Sequence, residues 1–262
     1  MKNLIIQYYI DINLYSQPGF NGISPSPVEK YSEYSFKKYC AKFGHDFLRV
    51  TKPTFGYKHP TWERFALWFN SEWLDKYDQI LYVDTDVFAL DHAPDIFALY
   101  NDLDVFKSPE YRKYRRSSNR AIEIMVANTI LKDCDAYKIK RTFFQPGVWM
   151  LTKKSRDVMM PWVERYKEFS GTGPVNIGGK EVDCDDGQFL NWAVIKSGVK
   201  YQDMDRCFNV KNNGLKKDWN YQKTFFLHVA GGKKYMSGSK IWPFLAETFP
   251  EVNVNLDALI SR

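Results

Sequence analysis

The pattern of apolar and polar positions over the first third of the chain alternates between strand-like and helix-like segments. Compact runs of β-branched and aromatic residues indicate buried strands, whereas aromatic residues spaced three and four apart indicate amphipathic helices. In chain order, the predictions are a strand over residues 4–12, a helix over 28–43 that ends at Gly44, a strand over 47–50, a helix over 61–73 and a strand over 79–83.

The remaining segments are less regular. Residues 16–27 are rich in Gly, Pro and Ser and predict a loop. Residues 111–141 are basic and uneven in pattern, and we interpret them as a mobile insertion over the site. Further strands are predicted over residues 105–107, 148–152 and 225–230, and further helices over 155–169 and 186–196.

The order strand, helix, strand, helix, strand predicts an α/β fold with a Rossmann-like parallel sheet. A length of 262 residues suits one large domain, and a hydrophobic share of 44% is ample for its core. The sequence contains no internal repeat and no low-complexity tract. We therefore treat residues 1–262 as a single domain.

Charge and cysteine content exclude several classes of function. The 37 basic and 31 acidic residues give a mild net charge of +6. The basic residues are scattered apart from RKYRR over residues 112–116 and Lys216-Lys217, whereas a nucleic-acid binder usually shows a stronger stripe. The mild charge is compatible with a small anionic ligand such as a diphosphate. The four cysteines form no C-x-x-C pair, so neither a zinc site nor a thioredoxin-type motif is indicated.

The sequence also bears on location. The N-terminal residues turn polar too soon for a signal peptide, and no run of about 18 apolar residues predicts a transmembrane anchor. Widely spaced cysteines in a chain of this size are typical of reduced, intracellular thiols. We therefore expect a soluble cytoplasmic protein of unknown oligomeric state.

The strongest chemical feature is the segment Asp84-Thr85-Asp86, directly after the apolar strand predicted over residues 79–83. Ligands of open α/β sheets bind beyond the carboxyl ends of strands, and residues two apart in extended chain face the same way. Two such carboxylates can hold Mg²⁺ or Mn²⁺, which takes its other ligands from phosphates and water. Most Asp-x-Asp pairs lie in turns, and four more occur here, at 102/104, 133/135, 183/185 and 203/205.

Further segments form an ordered set with this one. They are Arg64 on the preceding helix, YDQILYVDTD over residues 77–86, FQPGV over 144–148, DGQFLN over 186–191 and HVAGGKK over 228–234. In this order they resemble the GT-A glycosyltransferases, particularly the glycogenin-like retaining enzymes. The resemblance covers most of the chain, although each segment is short.

The resemblance implies a single GT-A domain with a mixed, mainly parallel central sheet flanked by helices. Residues 1–110 would form the nucleotide-binding half and residues 111–262 the half that binds sugar and acceptor. It further implies a hexosyltransferase that uses a nucleotide-sugar donor, foremost a UDP-sugar, with Mn²⁺ or Mg²⁺, and a glycan or other hydroxyl acceptor. Asp84, Asp86 and His228 would be the metal ligands.

Individual roles are carried over by position. Asp185 or Asp186 would be the acid that faces the donor sugar and supports catalysis, and Lys234 or Lys233 would meet the diphosphate. Gln145 and Pro146 replace the Asn-Ala of the resembled segment, and Gln188 is shifted relative to its Asp-Gln pair. The residues expected to contact the nucleotide sugar are Gln7, Tyr8, Tyr9, Arg64, Asp84, Thr85, Asp86, Gln145, Gly147, Gly231 and Lys234.

Each residue also has a purely structural interpretation. His228 could be a buried histidine bonded to the backbone, and Arg64 a solvated helix residue. Asp185 and Asp186 stand where a carboxylate caps a helix and favours its dipole. Trp149 fits core packing better than sugar stacking.

Two other functions fit parts of the sequence. A haloacid-dehalogenase-like phosphatase also places Asp-x-Asp after an apolar strand, with the first acid, here Asp84, as nucleophile. That motif normally follows the first strand, whereas more than 80 residues precede it here. A non-catalytic sugar-nucleotide-binding protein is the second alternative. Within the glycosyltransferase hypothesis, an inverting enzyme would need a carboxylate base, so both retention and inversion stay open.

Overall fold

The computed structural model describes residues 1–10, 28–55, 60–170, 174–177, 179–211, 219–229 and 241–252. The loop predicted over residues 16–27 lies outside these ranges. No helix within them is long and apolar enough to cross a membrane.

The strands form one large sheet and two small ones. In chain order they are β1 (Asn3–Tyr8), β2 (Asp46–Val50), β3 (Gln79–Val83), β4 (Val87–Ala89), β5 (Phe106–Pro109), β6 (Val148–Thr152), β7 (Pro174–Ile177), β8 (Lys180–Asp183), β9 (Tyr201–Met204), β10 (Val210–Lys211) and β11 (Phe226–His228).

The six-stranded sheet has the order β2-β1-β3-β6-β5-β9. Strand β6 runs antiparallel to its neighbours β3 and β5, whereas the β2-β1-β3 and β5-β9 pairings are parallel. The predicted mixed, mainly parallel sheet is therefore confirmed. All its strands except β6 end at the same edge, which is the edge where Asp84 follows β3.

Helices pack around this sheet. They are α1 (Val28–Phe43), α2 (Ala66–Phe69), α3 (Ser71–Lys76), α4 (Ile96–Leu99), α5 (Arg112–Arg115), α6 (Asn119–Val126), α7 (Ala136–Thr142), α8 (Lys153–Val163), α9 (Tyr166–Phe169), α10 (Asp186–Ser197) and α11 (Ile241–Thr248).

Alternation along the central strands divides the core between the two faces of the sheet. Ile80 and Tyr82 of β3 belong to the larger apolar cluster, with Trp68 of α2 and with Phe189 and Trp192 of α10. Leu81 and Val83 belong to a second cluster on the opposite face, with Phe36 of α1. These positions are buried on both faces, which explains why the strand reads as an uninterrupted apolar run.

A small sheet joins distant parts of the chain. Strand β11 pairs in parallel with β10 and antiparallel with β4, in the register Phe226 to Ala89 and His228 to Val87. A third apolar cluster covers this sheet and contains Phe88, Leu227 and residues of α11. The C-terminal part of the chain is thereby fixed against the turn that follows β3.

Two predicted helices are interrupted. The segment predicted as one helix over residues 61–73 is a 3-10 helix (Pro60–Phe65) followed by α2 and α3. Asn70 separates the last two because its side chain accepts a hydrogen bond from the amide of Trp73 and caps α3. The helix predicted over residues 155–169 is likewise divided into α8 and α9.

The basic segment over residues 111–141 contains three helices, α5 to α7, and a 3-10 helix. Ser118 caps α6 and Asp135 caps α7. The uneven pattern that we interpreted as a mobile insertion therefore reflects several short helices, of which α6 and α7 begin at side-chain caps.

Candidate metal and nucleotide site

Asp84 and Asp86 lie in a tight turn between β3 and β4. The amide of Val87 donates to the carbonyl of Asp84 at 3.2 Å, which closes the turn over Thr85 and Asp86. The buried strand β3 fixes the position of Asp84, and the pairing of β4 with β11 fixes the other end of the turn. Both carboxylates therefore lie in a turn that is held at each end by a paired strand, at the carboxyl edge of the sheet.

The β4–β11 pairing brings His228 to the same place. The amide of Val229 donates to the carbonyl of Asp86 at 2.9 Å, and His228 Nε2 lies 3.3 Å from Asp86 Oδ1. One ligand atom from each of Asp84, Asp86 and His228 lies within 4.8 Å of the others. The three residues that the sequence predicted as metal ligands are thus together.

The geometry fits a hard divalent cation. Oxygen ligands about 2.1 Å from one Mg²⁺ lie at most about 4.2 Å apart, so the three side chains need only a small adjustment to share an ion. His228 Nδ1 lies 2.8 Å from Asn209 Oδ1. When Nδ1 carries the proton and donates a hydrogen bond to Asn209 Oδ1, Nε2 is unprotonated. The lone pair of Nε2 then faces the carboxylates.

Gly147 leaves the space that this arrangement needs. A Cβ atom at residue 147 would lie 2.4 Å from His228 Cε1 and 3.0 Å from Asp84 Oδ2. The carbonyl of Gly147 also accepts a hydrogen bond from the amide of Asp84 at 2.8 Å. Glycine at this position therefore follows from the close approach of the β6 backbone to the two side chains.

Arg64 links the metal-ligand turn to helix α10. Its side chain is only 5% exposed and lies 3.3 Å from Asp84 Oδ1 and 3.0 Å from Asp186 Oδ2. It also donates to the carbonyl of Pro146 at 3.0 Å and stacks over the ring of Tyr82. The interpretation of Arg64 as a solvated helix residue is therefore wrong.

The two acids that begin α10 have different surroundings. Asp185 is the helix N-cap and accepts from the amide of Gln188 at 2.6 Å. Asp186 instead turns its carboxylate towards Arg64. Of the two alternatives left open by the sequence, Asp186 is the one connected through Arg64 to Asp84.

Residues 144–147 are held against α10 by Asn191. The buried amide of Asn191 accepts from the Phe144 amide and donates to the carbonyls of Phe144 and Gly187, each at 2.9 Å. Pro146 fills the space above Gly187, where a Cβ would lie 2.7 Å from its ring. Gln145 is half-buried between these two fixed points.

The residues at the end of β1 diverge. Gln7 lies beneath the site, where its amide donates to Ser32 Oγ at 2.7 Å and to the carbonyl of Asp84 at 3.3 Å. Tyr8 is buried in the larger apolar cluster. Tyr9 stacks against the guanidinium of Arg49. Gln7 therefore contacts the metal-ligand turn from below, through the backbone carbonyl of Asp84.

Burial and neighbouring charges have opposite effects on the pKa values of His228 and Asp84. Burial lowers the pKa of His228, but the Asp86 carboxylate outweighs it and the net pKa is raised. Burial raises the pKa of Asp84, and the Arg64 guanidinium opposes that rise. The pKa of Tyr82 is raised well above its ordinary value by burial, so its hydroxyl stays protonated and donates to Asp84 Oδ1 at 2.5 Å.

The other Asp-x-Asp pairs have structural roles. The side chains of Asp102, Asp135, Asp185 and Asp205 each accept backbone amides at turns or helix starts. Trp149 is fully buried and stacks on Tyr82, in agreement with core packing. Gly231 and Lys234, with the alternative Lys233, lie outside the described residues.

Two residues of the site were not predicted. Tyr82 could have been found, since it precedes Asp84 by two positions in extended chain and so shares its face. Asn209 could not, because it is 19 residues from His228 and no local pattern marks it.

The fold is shared with solved glycosyltransferase structures. A glycosyltransferase involved in the glycosylation of the major capsid of PBCV-1 aligns with a TM-score of 0.51 at 11% identity, over 88% of this chain and 94% of that chain. An active-site mutant of LgtC aligns with a TM-score of 0.50 at 16% identity, over 99% and 100%. The bifunctional glycosyltransferase WbbM aligns with a TM-score of 0.50 at 10% identity, over 94% of this chain and 51% of that longer chain.

No protein-family model matches the sequence, and no curated protein sequence matches it either. At these low identities the likeness defines the fold. The chain has the GT-A fold of these glycosyltransferases, as the resemblance of its short segments predicted.

Proposed function

We propose that the protein is a metal-dependent glycosyltransferase, which transfers a hexose from a nucleotide sugar to a hydroxyl group of a glycan or another acceptor. The observation that carries this proposal is the convergence of Asp84, Asp86 and His228 at the carboxyl edge of a GT-A sheet. A UDP-sugar is the donor we favour. Residues 1–110 would bind the nucleotide, and residues 111–262 the sugar and acceptor.

In this proposal, Asp84, Asp86 and His228 hold Mn²⁺ or Mg²⁺. When bound, the ion would neutralise the negative charge that develops on the leaving diphosphate. Asn209 keeps the imidazole in the tautomer that can bind the ion. Lys234, or Lys233, would add positive charge at the diphosphate.

Asp186 and Arg64 would form the sugar side of the site. Arg64 stays cationic, because the carboxylates of Asp186 and Asp84 outweigh the effect of burial and raise its pKa. It holds Asp186 in a fixed orientation from which the carboxylate can accept hydrogen bonds from donor hydroxyls. Together with the metal-ligand histidine, the 186–191 segment favours retention of anomeric configuration. An inverting reaction would need Asp185 or Asp186 as base.

The surroundings of Asp84 do not favour a phosphatase. A nucleophilic aspartate needs a free carboxylate oxygen for attack on phosphorus. Asp84 Oδ1 accepts the Tyr82 hydroxyl and lies near Arg64, and Asp84 Oδ2 faces Gly147 and His228. Strand β3 is also the third strand along the chain, whereas the phosphatase motif normally follows the first.

The proposal is tested by thermal shift with UDP-, GDP- and CMP-sugars, each with and without Mn²⁺. We expect one nucleotide class to raise the melting temperature only when Mn²⁺ is present, since a bound ligand stabilises the folded state. Asp86→Ala should abolish that shift and hexose transfer. The control is Asp104→Ala, a change in another Asp-x-Asp pair. It should retain both the thermal shift and hexose transfer, because the Asp104 carboxylate forms an ion pair with Lys154. A lack of response to every donor would contradict the proposal.

A further inference from the structure

The positive charge of the protein is concentrated in one segment. Residues 111–142 contain nine basic and three acidic residues, a net charge of +6. The rest of the chain has 37 − 9 = 28 basic and 31 − 3 = 28 acidic residues and is formally neutral. The whole excess therefore lies in 32 consecutive residues. The basic residues are Arg112, Lys113, Arg115, Arg116, Arg120, Lys132, Lys138, Lys140 and Arg141.

The topology places this segment beside the metal-ligand turn. It connects the end of β5 to the start of β6, and β6 runs antiparallel to both β5 and β3. The end of β5, the start of β6 and Asp84 are therefore at the same edge of the sheet. Gly147, directly before β6, approaches His228. The cationic segment with α5 to α7 therefore leaves and rejoins the sheet at the edge where the metal-ligand turn lies.

The same helices expose large apolar side chains. Ile124 is 69% exposed, and Tyr137 and Met125 are 55% and 38% exposed. Helix α6 buries Ile122 and Val126, so the helical period places Ile124 on its opposite, outward face. Arg120, one turn before Ile124, lies on that outward face as well and is exposed. Helix α6 thus presents a cation and an aliphatic side chain together to the surroundings.

We propose that helices α6 and α7, with the basic residues before them, dock onto an anionic lipid surface. Cations near a membrane surface are attracted by anionic headgroups, and aliphatic side chains beside them gain by entering the headgroup boundary. A soluble polyanion would match the charge but would leave Ile124 and Met125 without an apolar environment. The lipid surface is the occupant that matches both features.

Docking in this orientation turns the carboxyl edge of the sheet towards the membrane. Under the proposed function, a hydroxyl acceptor carried by a membrane lipid would then meet the site. That consequence rests on the proposed function, whereas the docking itself does not, since none of its residues is a proposed ligand of the metal or the donor.

The test is co-sedimentation with vesicles of phosphatidylcholine alone and of phosphatidylcholine mixed with phosphatidylglycerol. We expect the full chain to bind the mixed vesicles and to lose binding as salt is raised. Arg116→Glu with Arg120→Glu should weaken binding by about 30-fold or more, since each basic residue contributes roughly 5-fold. Ile124→Ser with Met125→Ser should weaken it at unchanged net charge.

The matched control is Lys76→Glu with Lys200→Glu. It makes the same change in net charge, but Lys76 lies three residues before β3 and Lys200 directly before β9, so these exposed lysines are at the opposite edge of the sheet. Their exchange should leave binding within about 3-fold of wild type. Circular dichroism and the Mn²⁺-dependent thermal shift, measured on every variant, separate loss of fold or of donor binding from loss of docking.

Several outcomes would overturn the proposal. They are equal binding to the neutral vesicles, an equal effect of the control pair, and no effect of the serine variants. Retention on heparin without binding to any vesicle would also overturn it and would identify a polyanionic partner instead. None of these outcomes would contradict the proposed function, because the donor-dependent thermal shift tests that function separately.

Discussion

Single residues set the dimensions of the site. Gly147 is the clearest case, because the distance between the β6 backbone and the His228 ring leaves no room for a methyl group. His228 in turn cannot move aside easily, since it is buried and held by Asn209. The position of the imidazole is therefore determined by its neighbours on two sides.

Gly147→Ala should displace His228 and weaken Mn²⁺ binding by at least about 10-fold, the scale seen when a ligand loses its support. The cost to folding should be about 1–3 kcal/mol, typical of overpacking. Titration with Mn²⁺ and urea unfolding of the metal-free protein measure the two effects. Unchanged Mn²⁺ affinity in the folded variant would contradict the role given to Gly147.

Lys107 is a buried cation outside the site. It lies on β5, is fully buried and donates to the carbonyl of Asp102. Burial lowers its pKa to about 8, whereas an unfolded lysine has a pKa of about 10.4. Between these values the unfolded chain binds more protons than the folded protein, so stability rises with pH in this window.

Lys107→Met should therefore remove a pH dependence. The free energy of unfolding of wild type, relative to that of the variant, should increase by about 2 kcal/mol between pH 8 and pH 10. Urea unfolding at several pH values measures this difference. The exposed Lys200→Met serves as control and should follow wild type. Parallel curves for wild type and Lys107→Met would show that Lys107 keeps an ordinary pKa.

At the scale of elements, the site depends on how helix α10 is joined to the loop before β6. Asn191 makes two hydrogen bonds across this junction, to the amide and the carbonyl of Phe144, and a third within α10 to the carbonyl of Gly187. Arg64 adds a further link across the junction by contacting both Pro146 and Asp186. The loop that carries Gly147 is thus positioned by a helix more than 40 residues later in the chain.

Asn191→Ala should destabilise the protein by about 2–3 kcal/mol, because buried backbone groups lose their partners. It should also weaken donor binding, since residues 144–147 are released from α10. Chemical denaturation and donor titration of the folded fraction measure the two effects. Asn101→Ala, at an exposed position, is the control. Loss of stability with unchanged donor affinity would confine Asn191 to a structural role.

At the scale of the whole molecule, the site forms only when two strands far apart in the chain pair with each other. Strand β4 pairs with β11, more than 130 residues away, and this pairing carries His228 to Asp86. Leu227 is fully buried against the same small sheet and packs in the cluster that includes Phe88. The stability of the metal-ligand turn is therefore coupled to the packing of strand β11.

Leu227→Ala should cost about 2–5 kcal/mol, as large-to-small changes in a core do. Hydrogen exchange should show that the amides of β4 lose protection together with those of β11, because each strand bonds to the other. Leu99 is exposed, so Leu99→Ala is the control. It should change neither the free energy of unfolding nor the protection of these amides. Retained protection of β4 beside an exchanging β11 would show that the two strands are not coupled.

The sequence alone determined the elements whose signal is local. The helix Val28–Phe43 and the strands Gln79–Val83 and Val148–Thr152 were predicted with their observed bounds, because apolar periodicity and capping residues act over a few positions. The position of Asp84 directly after a buried strand follows from the same local pattern, as does the GT-A resemblance of its segment.

Tertiary structure decided what depends on contacts between distant segments. It selected Asp186 rather than Asp185 as the partner of Arg64, buried Arg64 itself, brought Asn209 to His228 and divided the helix predicted over residues 61–73. Asp84, Asp86 and His228 meet because β4 and β11 pair. No periodicity along the chain encodes such a pairing, since it depends on the packing of both strands against a shared core.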